Sequence, residues 1–521
     1  MAGAETPDRS TYYITTPIYY VNDNPHIGHV YTTLACDVLA RFMRLDGRRV
    51  LFLTGTDEHG QKVEKSAQAR GMDPQAFTDA VSQNFRDLSA AWHFSNDDFI
   101  RTTEARHVRA CQALWQRLRE AGDIYLDSYA GWYAVRDEAF YGEDELHDGP
   151  DGVKYAPSGA PVEWVEEPSY FFRLSAWQDR LLAYYRDTPE AVGPEGRRNE
   201  VMSFVAGGLR DLSISRTTFS WGVPVPDDPD HIMYVWLDAL TNYLTALGYP
   251  DTEAEAYKAF WPADLHMVGK DILRFHAVYW PAFLMAAGID PPQRVFAHGW
   301  WTNEGQKISK SLGNVIDPYN LIESYGLDQV RYFLLREVPF GNDGDFSHRA
   351  MVNRINNDLA NDFGNLAQRV LSMVHKNCAG AVPEPGAYQA ADTAMLDAAD
   401  GLLARMRAAL EAQAFHRALE AAWQVIGQAN RYVDEMAPWA LRKTDTARMG
   451  TVLYVLAEVV RQLAILTQPF MTTAPGRLLD QLGQPGDARD FAALATRLPP
   501  GRAIEKPRGV FPRHVEPDHE S

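Results

Sequence analysis

The run Arg49-Val50-Leu51-Phe52-Leu53 has no polar alternation, so a strand built from it must be covered on both faces. It leads directly into Thr54-Gly55-Thr56-Asp57-Glu58-His59-Gly60, which reads as a polar, glycine-punctuated loop. The layout recurs twice. Leu265-His266-Met267-Val268 ends at Gly269-Lys270-Asp271, and Arg294-Val295-Phe296-Ala297 ends at His298-Gly299. Covered strands that end in polar loops and alternate with helices predict a parallel α/β sheet, with ligands at the carboxyl ends of its strands.

A further strand, Tyr12-Tyr13-Ile14-Thr15, passes through the turn Val21 to Pro25 into His26-Ile27-Gly28-His29. That segment opens a helix with Leu34, Val38, Phe42 and Leu45 on one face. Pro25 biases Asn24 away from helix, which sets the start near His26. A helix N-terminus offers unpaired N–H groups and a positive dipole end, which suits phosphate. His26 and His29 share a face of the first turn and can donate to phosphate oxygens, while Gly28 leaves room for a flat base. Far downstream, Lys307-Ile308-Ser309-Lys310-Ser311 lies between Gly305 and Gly313, a loop able to close two ammonium groups over a triphosphate. Each segment alone fits an ordinary helix start or a solvated loop. The two together, in this order, point to ATP chemistry.

The chain has 521 residues, enough for two to four domains. With 46% hydrophobic and 23% charged residues it has the composition of a soluble globular enzyme. Neither a secretory signal nor a membrane span is expected, since no basic leader or long apolar run occurs. Cys36, Cys111 and Cys378 are far apart, which argues for a reducing compartment and against a zinc knuckle. The net charge of −19 means that a nucleic-acid partner would be held by a few local cations, in a salt-sensitive way.

Residues 1–117 read as the first half of the sheet. Residues 118–225, rich in aromatics, turn residues and acidic clusters, read as an inserted α+β module, and 226–349 resume the sheet, with a helix from Tyr234 to Leu247. Past residue 350 one-sided helices take over: Ile355, Leu359, Phe363, Leu366, Val370 and Met373 form one stripe, and Phe415, Leu419, Ala422, Ile426, Ala429 and Val433 another. Ala447 to Leu466 adds a helix stopped by Pro469, which closes an all-α segment over 350–485. Residues 486–521 form a tail whose last part, from Pro499, reads as irregular.

On these residues the chain resembles the class I aminoacyl-tRNA synthetases, and within them the methionyl-tRNA synthetases. His26 to His29 and Lys307 to Ser311 match the two class signatures, with Ile308 in place of the usual methionine. The methionine branch is matched by Thr16 to Asn22, Leu53 to Gly60, Tyr234 to Ala239, Val268 to Ile272 and Ala437 to Trp439, over about residues 12 to 485. The resemblance implies a Rossmann-like doubly wound parallel sheet split by a connective module and followed by an anticodon-binding helical bundle. It implies activation of L-methionine by ATP with Mg2+, then transfer to the 3′ end of initiator and elongator tRNA(Met).

It assigns His26, His29, Lys307 and Lys310 to catalysis, with Gly28, Gly269, Asp271, Ile272, His298 and Ser309 joining them around ATP. Pro17, Ile18, Tyr20, Asp57, Trp236, Ala239, Leu240, Tyr243, Ile272 and His276 would line the methionine pocket, with Asp57 on the substrate ammonium. An aromatic cavity suits a flexible thioether. Asn365, Arg369, Pro438 and Trp439, the last two in a loop, would read the anticodon. The family's zinc knuckles and C-terminal dimerising domain have no counterpart here, so the expectation is a zinc-free cytoplasmic monomer with no membrane attachment. The isoleucine, valine and leucine synthetases carry a larger editing insertion, and the cysteine synthetase needs a zinc thiolate site. A non-catalytic RNA-binding paralogue would not need the signature cations, and a nucleotidyltransferase without tRNA would not need the helical segment.

Overall fold

The computed structural model describes residues 10–21, 24–137, 139–149, 152–308 and 314–515, with the backbone alone described at Tyr129 and Lys307. The chain divides into two compact units: Thr11–Pro25 with Val50–His298, and His26–Arg49 with Gly299–Ser521 and the N-terminal residues.

The first unit is built on a seven-stranded sheet of β1 (Thr11–Thr15), β2 (Tyr19–Tyr20), β3 (Arg49–Asp57), β4 (Asp98–Arg101), β5 (Val192–Gly193), β6 (Leu265–Gly269) and β7 (Val295–His298). The order is β5-β7-β6-β1-β3-β2, with β4 also on β3. The pairings β1·β6, β5·β7, β6·β7, β2·β3 and β3·β4 are parallel. From β1 the sheet grows toward β3 on one side and toward β6 on the other, which makes the ends of β1 and β6 the switch point where such sheets bind ligands.

Thr54 to Asp57, expected as loop, continue β3 instead. Thr54, Gly55 and Thr56 pair with Phe99, Ile100 and Arg101, and a Cβ at Gly55 would lie 2.0 Å from the Ile100 carbonyl oxygen. Backbone approach that close requires glycine, and it carries the strand through its polar end to Asp57. The expected helix from Tyr234 to Leu247 is two short ones, Val235–Leu240 and Asn242–Thr245. At the joint Thr241 donates to the Leu237 carbonyl and Asn242 to that of Ala239, side-chain bonds that compete with a continuous helix.

Within residues 118–225 a long antiparallel ladder joins Ile124–Ala134 to Glu163–Phe172, followed by the helices Gln178–Asp187 and Glu195–Ala206. Between those helices, Val192–Gly193 returns to the parallel sheet beside β7.

In the second unit the helix Ile27–Leu45 is fastened by a buried ion pair. Arg331, on the helix Leu327–Arg336, donates to Asp37 at 2.6 Å and to the carbonyls of Pro469 and Phe470. Ile355, Leu359, Phe363, Leu366 and Val370 are buried as the periodicity requires. Their first two gaps of four fit a π-helical stretch over Arg354–Gly364, whose wider turn precedes the α-helix Asn365–Asn377. The helix Thr446–Thr467 is apolar enough to cross a membrane by composition, yet it is buried along its whole hydrophobic window as the core of the bundle. The tail carries a 3-10 helix at Phe491–Ala495, and from Pro499 its described residues are irregular in backbone but packed: Val510 and Phe511 are buried, and Phe511 lies against Phe363.

Candidate active site

His26 is the N-cap of the helix Ile27–Leu45. Its Nδ1 accepts from the Gly28 N–H at 3.0 Å, and the Nδ1 of His29 accepts from the His26 N–H at 3.1 Å. With both Nδ1 atoms accepting, the proton of each neutral ring sits on Nε2, a donor. Burial, reinforced by neighbouring His26, pushes the His29 pKa well down, so that ring works as a neutral donor. A Cβ at Gly28 would stand 2.9 Å from the His26 ring, so glycine here makes room for the cap itself. Lys307 lies in the two-residue strand Gln306–Lys307. Ser309 and Lys310 lie outside the described residues.

In the first unit the sequence-assigned methionine residues lie in or against its large hydrophobic core. Leu240 and Tyr243 belong to one core cluster, and Ile18, Tyr20, Trp236 and Ile272 pack against it. Pro17 is buried between β1 and β2. Ala239 is buried on the same helix as Trp236 and Leu240. The Trp236 ring stacks on Phe275 at 3.7 Å and meets His276 edge-on. His276 accepts from the Tyr243 hydroxyl at Nε2, 2.7 Å, and donates from Nδ1 to the Ile272 carbonyl, 3.0 Å. Burial holds its pKa down at about 4, so this imidazole is neutral. Gly269 pairs with His298 across β6 and β7, and Asp271 follows on a single 3-10 turn.

Asp57 ends β3 with its side chain buried. Sequence reading missed how firmly the two residues after it are anchored. Glu58, fully buried, receives Arg101 at 2.7 and 3.0 Å together with the Thr56 and Thr103 hydroxyls. His59 is bonded through Nδ1 to Asp238 at 2.7 Å, and Asp238 also takes His107 Nε2 at 2.7 Å. Burial opposes ionisation of Asp238, but the two imidazoles overcome it and hold the carboxyl well below its usual range. Glu58, His59 and Asp238 all lie inside quoted sequence blocks, but a pairing across 179 positions leaves no local signal.

On the helical side, Asn365 is exposed and Arg369 half-buried one turn later. Trp439, expected in a loop, sits instead in the first turn of a helix, Pro438–Thr444, entered through Ala437 at a φ of 43°. Proline at the first helical position favours this start. The Trp439 ring is 46% exposed and lies 5.7 Å from the Arg369 guanidinium.

Two family models divide this chain between them. The model described as class I tRNA synthetases (M) matches residues 12–371, and the anticodon binding domain of methionyl tRNA ligase matches residues 382–521. The chain belongs to the methionyl-tRNA synthetase family. Among its relatives, the methionine–tRNA ligase of Brucella suis is 59% identical over 514 residues, covering 98% of this chain and all of that one. That of Mycobacterium tuberculosis H37Rv is 57% identical over 511 residues. A solved structure of the M. tuberculosis methionyl-tRNA synthetase in complex with methionyl-adenylate superposes with a TM-score of 0.95 at 57% identity, covering 96% of this chain and 100% of that one. The Rossmann-like parallel sheet is followed here by a mostly helical anticodon region.

Proposed function

We propose that this methionyl-tRNA synthetase uses the residues described above in two steps, methionine activation and methionyl transfer to tRNA. In the first step a methionine carboxylate oxygen bonds to the α-phosphorus of MgATP, the substrate, while the bond to pyrophosphate breaks. In the second, the terminal ribose hydroxyl of tRNA(Met) attacks the adenylate carbonyl and AMP leaves. Positioning and charge stabilisation carry most of the first step. The Nε2 donors of His26 and His29 act on the α-phosphate, Lys307 and Lys310 on the departing pyrophosphate, and Gly269, Asp271 and His298 on the nucleoside. Asp57 holds the methionine ammonium. Asn365, Arg369 and Trp439 read the anticodon, Trp439 by stacking.

The observation that carries this reading is the contact of His276 with three assigned pocket residues, the Trp236 ring, the Tyr243 hydroxyl and the Ile272 carbonyl, with Trp236 sharing its helix with Ala239 and Leu240. Amino-acid-dependent ATP–pyrophosphate exchange across all twenty amino acids tests it: methionine alone should support exchange at low concentration, and strong exchange with another amino acid would overturn the pocket assignment.

The enzyme is further read as a zinc-free cytoplasmic monomer, with catalytic segments at 1–117 and 226–349, a connective module at 118–225 and an anticodon region at 350–485. His107, Cys111 and Asp238 form a cluster with metal-type ligands. However, His107 Nε2 and Asp238 Oδ1 are 2.7 Å apart, a hydrogen-bond distance, whereas two ligands at about 2.0–2.1 Å from a tetrahedral zinc stand about 3.3 Å apart. The cluster therefore fits a shared proton better than an ion, and elemental analysis finding stoichiometric zinc would reverse that.

A further inference from the structure

Asp238 lies on the helix Val235–Leu240, and its neighbours on that helix, Trp236, Ala239 and Leu240, are the pocket residues named above. Its own side chain faces elsewhere and is fully buried. One carboxylate oxygen bonds His59, two residues after Asp57, and the other bonds His107, on the helix Ala105–Glu120. His107 bonds in turn to the Thr245 hydroxyl at 3.0 Å, on the short helix that carries Tyr243. One carboxylate thus ties the strand end at Asp57 to both helices of the methionine pocket. A buried charge is costly, and apolar side chains of similar volume would fill this space more stably, so packing alone does not account for an aspartate here. What an apolar residue cannot do is fix the direction of two imidazoles at once.

We propose that Asp238, acting through His59, is a positioning residue that sets Asp57 against the substrate ammonium and holds that contact in register with the side-chain pocket. The proposal rests on the reading that Asp57 binds the ammonium. Glu58, clamped by Arg101, fixes the loop on one side of that contact, and the His59–Asp238 bond fixes the other. Loss of the second clamp leaves the thioether pocket in place and moves the ammonium site relative to it. Displacement of about 1 Å at such a contact is worth up to about a hundredfold, here in kcat/KM for methionine through a raised KM.

Asp238→Asn and His59→Leu, singly and together, test this by steady-state exchange kinetics, with Asp57→Asn alongside. The KM for methionine and the inhibition constant of methioninol, which keeps the ammonium and thioether but lacks the carboxylate, should rise together by ~10- to 100-fold, with kcat and the KM for ATP within about threefold. Because both singles break the same link, the double variant should be no worse than the poorer single. Melting curves separate a folding failure from a repositioned site, and His59→Leu, at the edge of the network, keeps the measurement open if Asp238→Asn does not fold. Asp57→Asn raising the methionine KM while the other variants leave it within twofold overturns the positioning role alone. Asp57→Asn leaving it unchanged overturns the ammonium assignment and the positioning role together. Equal rises in the KM for methionine and for ATP would mark Asp238 as merely structural.

Discussion

Arg369 donates to the carboxylate of Asp434 at 2.9 Å, across 65 positions of chain. The same guanidinium stands beside the exposed Trp439 ring, so the cation proposed to read a base is already occupied by an acid. Exposed pairs of this kind are worth ~0–1 kcal/mol, too little to resist a nucleotide. Arg369→Ala should lower kcat/KM for tRNA by about tenfold to a hundredfold, the usual worth of one base-edge contact, and leave pyrophosphate exchange intact. Asp434→Asn should strengthen tRNA binding by up to about fivefold at low salt. Filter binding across a salt series distinguishes the two effects.

Trp439→Ala removes a stacking platform, worth ~1–3 kcal/mol per base. Charging of tRNA should fall accordingly while methionine activation is unchanged. Equal losses in charging and exchange would mean that the tryptophan only supports its helix.

Lys310→Ala should depress the exchange rate by roughly two to three orders of magnitude, as removal of a comparable transition-state donor does. Methionine affinity, read by equilibrium dialysis, should stay near normal. A matching loss of methionine binding would contradict a role at pyrophosphate.

His29, His266 and His276 all have pKa values pushed down by burial, His276 to about 4. Each stays neutral in the folded chain and takes up a proton near pH 6.5 once unfolded, so the unfolded state binds more protons as pH falls. Stability is therefore full above about pH 6.5 and declines toward pH 4, with His276 alone responsible for about 3 kcal/mol across that window. Melting temperatures measured from pH 7 to 4.5 should fall, and His276→Gln should flatten the slope even where it lowers the plateau.

Gly55→Ala places a methyl group 2.0 Å from the Ile100 carbonyl oxygen, a clash between two backbones. Strand β3 must move away from β4, at a cost of about 3 kcal/mol by the scale of overpacked cores. Because Asp57 lies two residues on, the KM for methionine should rise together with the loss of denaturation midpoint.

The sheet was legible because Arg49 to Leu53 and its counterparts lack alternation, a signature of two-sided burial that survives in a single sequence. The end of β3 was not, since Thr54 to Asp57 are polar and owe their extended form to the close partner strand at Ile100. The helix at Pro438 was hidden by its seven-residue length, and only the proline hinted at it. The phosphate-side residues could be named because class signatures are contiguous. The bond from His59 to Asp238 depends on the folded path between them, and neither residue's neighbours encode it.

The ion pair between Asp37 and Arg331 fastens the signature helix to the unit that also contains Asn365, Arg369 and Trp439, while Asp57, Trp236 and His276 belong to the other. On the assignments made above, the choice of amino acid and the choice of RNA are made by residues in different compact units. Substitutions that broaden the thioether pocket can therefore accumulate without passing through the helices that read tRNA, and a changed anticodon preference can evolve without disturbing methionine. Arg331 stays buried against Asp37 under either lineage of change, and its loss would leave that buried carboxylate without this partner.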